Sequence, residues 1–123
     1  MGYVGAYSGV DFSLEAVRQA RGRIGDKYIT RSDLRCLDYL PKAGVVVALE
    51  LLEHMEDDMR PFRIIGCGTR FIFSVPSFGD PGHLRFFKTC DAVAERYGSV
   101  LKNLSVDKIG LWFIGDGTLV QHN

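Results

Sequence analysis

Tyr7-Ser-Gly-Val-Asp-Phe-Ser-Leu-Glu-Ala-Val-Arg-Gln-Ala-Arg21 is the stretch on which the fold turns. Residues 7–12 read as a short strand with Val10 and Phe12 as apolar positions and a carboxylate, Asp11, at its end. Ser13 follows as a helix N-cap, whose hydroxyl accepts from a first-turn amide. Leu14, Val17, Ala20 and Ile24 then recur at spacings of three and four, the apolar stripe of a helix lying on a sheet. Gly22 and Gly25 loosen its end. A strand that ends on an acid and turns at once into a helix is how many α/β proteins hold the ribose of a nucleoside cofactor, the carboxylate accepting from two hydroxyls. Ten residues precede Asp11, and none of them forms a glycine-rich phosphate or cofactor loop.

Downstream, Tyr28-Ile-Thr-Arg-Ser32 reads as a second short strand closed by Asp33, with a loop through Pro41. Gly44-Val-Val-Val-Ala-Leu49 is a continuous apolar run of strand length, the pattern of a parallel strand buried on both faces. Residues 56–65 read as a helix starting near Asp57 or Asp58, because Pro61 is tolerated only in a first turn. Thr69-Arg-Phe-Ile-Phe-Ser-Val75 is another buried strand, stopped by Pro76. A turn-rich loop from Ser77 to Gly82 leads to a helix over about Arg85–Tyr97, with Gly98 as its C′ residue. Residues 100–108 and 111–120 form a final antiparallel pair. The alternation predicts one α/β domain over residues 1–123, with a mainly parallel sheet and an antiparallel C-terminal hairpin.

Composition narrows the function classes. Fifteen basic and 15 acidic residues give a net charge of +0, so no global field favours nucleic acid or an anionic membrane. The cluster Arg18, Arg21 and Arg23 reads as a solvated helix face. Cys36, Cys67 and Cys90 are far apart, odd in number and without metal-ligand spacing. No apolar run approaches the roughly 18–20 residues of a membrane span, and no secretory leader is visible. These features predict a soluble cytoplasmic protein with free thiols.

Four segments together resemble the class I S-adenosylmethionine-dependent methyltransferases, the small-molecule type with a Leu-Glu-His motif. Gly9-Val-Asp-Phe-Ser13 is similar to the family's second strand, whose acid holds the ribose. Ser32-Asp33-Leu34 is similar to the end of the third strand, where an Asp and its neighbour meet the adenine. Val47-Ala-Leu-Glu-Leu-Leu-Glu-His54 is similar to the fourth strand and the turn beneath the cofactor. Phe71-Ile-Phe-Ser-Val-Pro-Ser77, followed by His83-Leu-Arg-Phe-Phe87, is similar to the fifth strand and the entry to the next helix. The resemblance implies a Rossmann-like sandwich that binds S-adenosylmethionine through Asp11, Phe12, Ser13, Asp33, Leu34, Glu50 and Leu51. It implies methyl transfer to a small-molecule acceptor, with His54 as base or orienting group and His83 lining the acceptor pocket. The sequence departs from the family in lacking its first strand, glycine-rich turn and helix, a unit of about 25–30 residues. Gly44 stands where the family has an Asp.

Ile64-Ile-Gly-Cys-Gly-Thr69 is no substitute for that glycine turn. A cofactor loop leads into a helix whose N-terminus faces the ligand, whereas Phe71-Ile-Phe-Ser-Val that follows is strand. Glu53 reads as solvent-facing, and Trp112 and Phe113 as core. Ser74 lies in no Gly-x-Ser-x-Gly elbow, so a hydrolase triad has no support. The second reading is a non-catalytic binding or oligomerisation module that keeps the scaffold without the cofactor loop. An open slot in the sheet would expose unpaired backbone and predicts self-association.

Overall fold

The computed structural model describes residues 8–11, 13–24, 29–40 and 42–120. The chain divides into two compact units, one running to Asp38 and one beginning at Tyr39.

In the first unit, strand β1 (Gly9–Asp11) pairs in parallel with β2 (Ile29–Arg31), with helix α1 (Leu14–Ile24) between them in sequence. The turn between β1 and α1 is built from side chains. Asp11 Oδ1 accepts from the Ser13 amide at 2.9 Å, and Ser13 Oγ accepts from the Ala16 amide at 3.2 Å. Ser13 is therefore the N-cap that the sequence predicts, satisfying one of the amides a helix start leaves open. Val17 is fully buried, but Leu14, one turn earlier on the predicted stripe, is exposed. Arg21 and Arg23 stand in the last turn, where they complement the helix dipole.

The second unit contains β3 (Val45–Ala48), a 3-10 turn (Leu52–His54), α2 (Arg60–Ile64), β4 (Arg70–Pro76), α3 (Cys90–Tyr97), β5 (Leu101–Ile109) and β6 (Trp112–Leu119). Its sheet runs β3-β4-β6-β5. β3 and β4 are parallel, while β6 is antiparallel to both β4 and β5. The predicted hairpin is present, turning at Gly110 with φ +61°, a left-handed conformation that glycine adopts without strain. The expectation of a mainly parallel sheet is corrected. Two strand pairs are parallel and two antiparallel among the described residues, because the last strand inserts between β4 and β5 instead of adding at the edge.

Burial follows from that order. β4 is flanked on both sides, and Phe71, Phe73 and Val75 are fully buried. The Phe71 and Phe73 rings join Phe62 and Tyr97 in one aromatic core, with centroid separations of 4.8 Å for Phe62–Phe71 and 5.2 Å for Phe73–Tyr97. β3 is different. It was expected to be buried on both faces, yet Val45 and Val47 are 48% and 58% exposed. In its sheet it has one strand neighbour among the described residues, so its apolar run does not signify double burial.

Two helices are shorter than the sequence suggests. α2 holds Pro61 in its first turn as required, but residues 57–59 form a turn before it. α3 begins at Cys90 with Thr89 as N-cap, not near Arg85. The amides that would have continued the helix backwards are used elsewhere: Leu84 donates to Glu53 O at 2.7 Å and Phe87 to Pro76 O at 3.0 Å. Gly98 caps α3 with φ −66°, not in the left-handed conformation of a C′ glycine. Among the described residues no helix is long and apolar enough to cross a membrane.

Candidate functional site

The candidate residues fall into two groups, one in each unit. In the first, Asp11 is the last residue of β1 and is exposed, its carboxylate oriented by the Ser13 amide. One amide uses only part of a carboxylate's accepting capacity. Asp33 lies just beyond β2. Its oxygens accept from the Arg35 amide at 2.9 Å and from the Arg35 guanidinium at 2.6–3.0 Å. These bonds from Arg35 hold its pKa down to about 2. Leu34 opens the adjoining turn and is half-buried. Phe12 lies outside the described residues.

In the second group, the chain leaves β3 through Glu50, which has φ +53°. A non-glycine residue in the left-handed region is uncommon and costs on the order of 1 kcal/mol or more. The turn is held from β4, where Ser74 Oγ accepts from the Glu50 amide at 2.8 Å. Leu51 is half-buried, and the 3-10 turn then buries Leu52 and Glu53 while leaving His54 exposed. Strand ends of this kind are where α/β sheets present ligand-binding groups.

Glu53 corrects the expectation of a solvent-facing side chain. It is fully buried, and no other described residue donates a hydrogen bond to either carboxylate oxygen. Burial pushes its pKa up, against the opposing influence of its own backbone amide and then of His54 and His83.

The two predicted histidines meet. His54 and His83 have ring centroids 5.1 Å apart in an edge-on arrangement. His54 Nδ1 lies 2.9 Å from Gly82 O, and His83 Nδ1 lies 3.2 Å from Phe78 O. The array continues to Phe78, 5.3 Å from His83, and to Trp112, 5.5 Å from Phe78. Trp112 is thus only partly core; the alternation of β6 buries Phe113 and leaves Trp112 on the other face. Sequence reading missed the burial of Glu53 and the Phe78–Trp112 wall, whose two members are far apart in sequence. A buried acid beside a histidine carries no local periodicity that would reveal it.

Beneath this turn lies a structural anchor. Arg85 donates to Leu52 O, Met55 O and Glu56 O. Its Nε is also 3.4 Å from Asp58, which accepts from Arg96 at 2.7 and 2.8 Å and from the Tyr97 hydroxyl at 2.7 Å. Burial raises the Asp58 pKa, but the bonds from Arg96 and Tyr97 and the charges of Arg85 and Arg96 outweigh it and leave the group more acidic than usual. The 64–69 segment is a helix end and turn, with the Gly68 amide bonded to Leu119 O, and it leads into β4 as the sequence implies.

No family model and no curated protein sequence matches the chain. Solved structures do match it in fold. A SAM-dependent methyltransferase from Thermotoga maritima, a possible histamine N-methyltransferase, superposes with TM-score 0.68 at 15% identity, covering 91% of this chain and 72% of that one. The N-methyltransferase NodS from Bradyrhizobium japonicum, solved with S-adenosyl-L-homocysteine, gives 0.63 at 14% identity, covering 91% and 65%. A possible exported protein from Bordetella parapertussis gives 0.62 at 15%, covering 93% of this chain and 53% of its own. The chain thus spans between about half and three-quarters of these neighbours. It has the fold of the S-adenosylmethionine-dependent methyltransferases.

Proposed function

We propose that the chain binds S-adenosylmethionine and transfers its methyl group to a small-molecule acceptor. The observation that carries this reading is the shared fold, in which one neighbour was solved with S-adenosyl-L-homocysteine bound. The residues fit a nucleoside: an exposed carboxylate, Asp11, stands at the tip of a parallel strand pair and is held by a side-chain turn. In this reading Asp11 accepts from the ribose hydroxyls, with Phe12 and Ser13 beside it. Asp33 shares its carboxylate between Arg35 and the adenine amino group, and Leu34 packs on the base.

The bound cofactor supplies the electrophilic methyl group, so no protein nucleophile is required. The chain's own work is to orient the partners and to accept a proton when the acceptor must lose one. His54 and His83 stand together for the second task. Each has Nδ1 facing a carbonyl oxygen, which directs Nε2 to act as the acceptor.

A second reading, a non-catalytic module that self-associates, has one observation in its favour. β3 has one strand neighbour among the described residues, and Val45 and Val47 on it and Leu49 just beyond it are exposed. Calorimetric titration with S-adenosylmethionine and S-adenosylhomocysteine separates the two. Saturable heat supports the methyltransferase, whereas silence at millimolar ligand together with a dimer by light scattering supports the module. The chain is expected in the cytoplasm and acts there on a dissolved acceptor.

A further inference from the structure

We propose that the turn after β3 forms a subsite for an organic ammonium ion, with Glu53 as the buried counter-charge and His83, Phe78 and Trp112 as its walls. It rests on the methyl-transfer reading only in naming that ion as the methyl acceptor.

Glu53 is fully buried, and apart from its own backbone amide no described residue donates to its two oxygens. An ionised carboxylate in that condition costs several kcal/mol unless a positive partner completes it. Arg85, the arginine that wraps this turn, is committed to the carbonyls of Leu52, Met55 and Glu56 and to Asp58. The charged and titratable groups that act on Glu53 are His54, His83 and Glu50. Both imidazoles direct Nδ1 at a carbonyl oxygen, which can only accept, so Nδ1 carries the proton in each ring. In their neutral forms those protons are spent, and none is left for the carboxylate.

The surroundings say which cation fits. Four rings adjoin: His54–His83 at 5.1 Å, Phe78–His83 at 5.3 Å, Phe78–Trp112 at 5.5 Å and His83–Trp112 at 6.4 Å. Aromatic faces attract a weakly hydrated organic cation. A metal ion instead needs several converging donors, and no three His, Cys, Asp or Glu side chains among the described residues are grouped to hold one. An anion would meet repulsion from Glu53 and Glu50.

An ammonium guest also makes chemical sense of the acid. Transfer of one proton from the guest to Glu53 breaks an N–H bond, leaves its electron pair on nitrogen, and forms an O–H bond. The products are a nucleophilic amine and a neutral buried acid. Burial already raises the affinity of Glu53 for that proton.

Trp112 is the chain's one tryptophan, so its fluorescence reads the subsite. The test titrates phenethylammonium chloride, phenethyl alcohol, sodium phenylacetate and manganese chloride at pH 7 and constant ionic strength. The expected result is a saturable change with the ammonium, at least roughly tenfold weaker binding of the alcohol and the acid, as for a lost charged hydrogen bond, and no preference in Glu53→Gln. Equal responses to ammonium and alcohol overturn the proposal, as does a preference that survives Glu53→Gln. A saturable manganese response without an ammonium response overturns it in favour of a metal. The comparison among probes is made on the unaltered chain, so it stands even if the variant fails to fold. S-adenosylhomocysteine calorimetry on the same sample separates the two claims. Cofactor binding without ammonium preference sinks this inference alone. Ammonium preference without cofactor binding supports the subsite and removes the methyl-transfer reading.

Discussion

Phe73 and Gly115 are directly paired across β4 and β6, and the phenylalanine ring fills the space that a side chain at position 115 would need. A Cβ placed on Gly115 would stand 2.2 Å from Phe73 Cζ. Phe73 is fully buried and touches Phe71 and Tyr97, so it has little room to yield. Gly115→Ala should destabilise the chain by about 1–3 kcal/mol through overpacking. Urea denaturation will show this as a lower midpoint, and Gly115→Ala combined with Phe73→Leu should recover part of it. An unchanged midpoint for Gly115→Ala would show that the ring moves freely.

Asp58 ties the segment before α2 to α3 through Arg96 and Tyr97. Asp58→Asn leaves the buried Tyr97 hydroxyl and the half-exposed Arg96 poorly matched and should cost about 1–3 kcal/mol. The folded pKa of Asp58 is lowered. Its stabilising contribution is therefore complete above the unfolded value of about 3.9 and fades as pH falls through the lower folded pKa. Thermal unfolding between pH 5 and pH 2 should show an acid-dependent loss that is smaller in the variant. Parallel curves for the two proteins would remove Asp58 from the account.

Glu53 works in the opposite sense. Its folded pKa is raised, so the folded state is favoured below the unfolded value of about 4.3 and loses that advantage as pH rises through the folded pKa. Glu53→Gln keeps the shape and removes the ionisation. The melting temperature of the variant should exceed that of the unaltered chain at pH 7–8, and the difference should vanish near pH 4. A variant that is less stable at pH 8 would mean that the carboxylate has a partner it needs.

Legibility followed the range of the interactions. The turn Asp11–Ser13–Ala16 is readable in sequence because all its bonds span two or three residues. The β5–β6 hairpin is readable because Gly110 sits between two strand-like runs, and Pro61 marks the start of α2. The placement of β6 between β4 and β5 is not, since no local pattern specifies which edge a returning strand joins. The segment before Thr89 looks helical, but Leu84 and Phe87 give their amides to carbonyls 31 and 11 positions away. At the candidate site His54 and His83 were visible as residue types. Their meeting, and the burial of Glu53, depend on the loop after β4 folding back over the turn after β3. The apolar run of β3 misled because composition does not distinguish an edge strand from a covered one.

Titration of S-adenosylhomocysteine into the chain and into Asp11→Ala tests the central claim most directly. Asp11 is exposed and its side chain bonds only one local amide among the hydrogen bonds described, so the variant should keep the fold. The account predicts saturable binding to the unaltered chain and affinity weakened by roughly tenfold or more in the variant, the loss expected for a charged hydrogen bond. Equal affinity in the two proteins, or no binding at millimolar ligand, would contradict it.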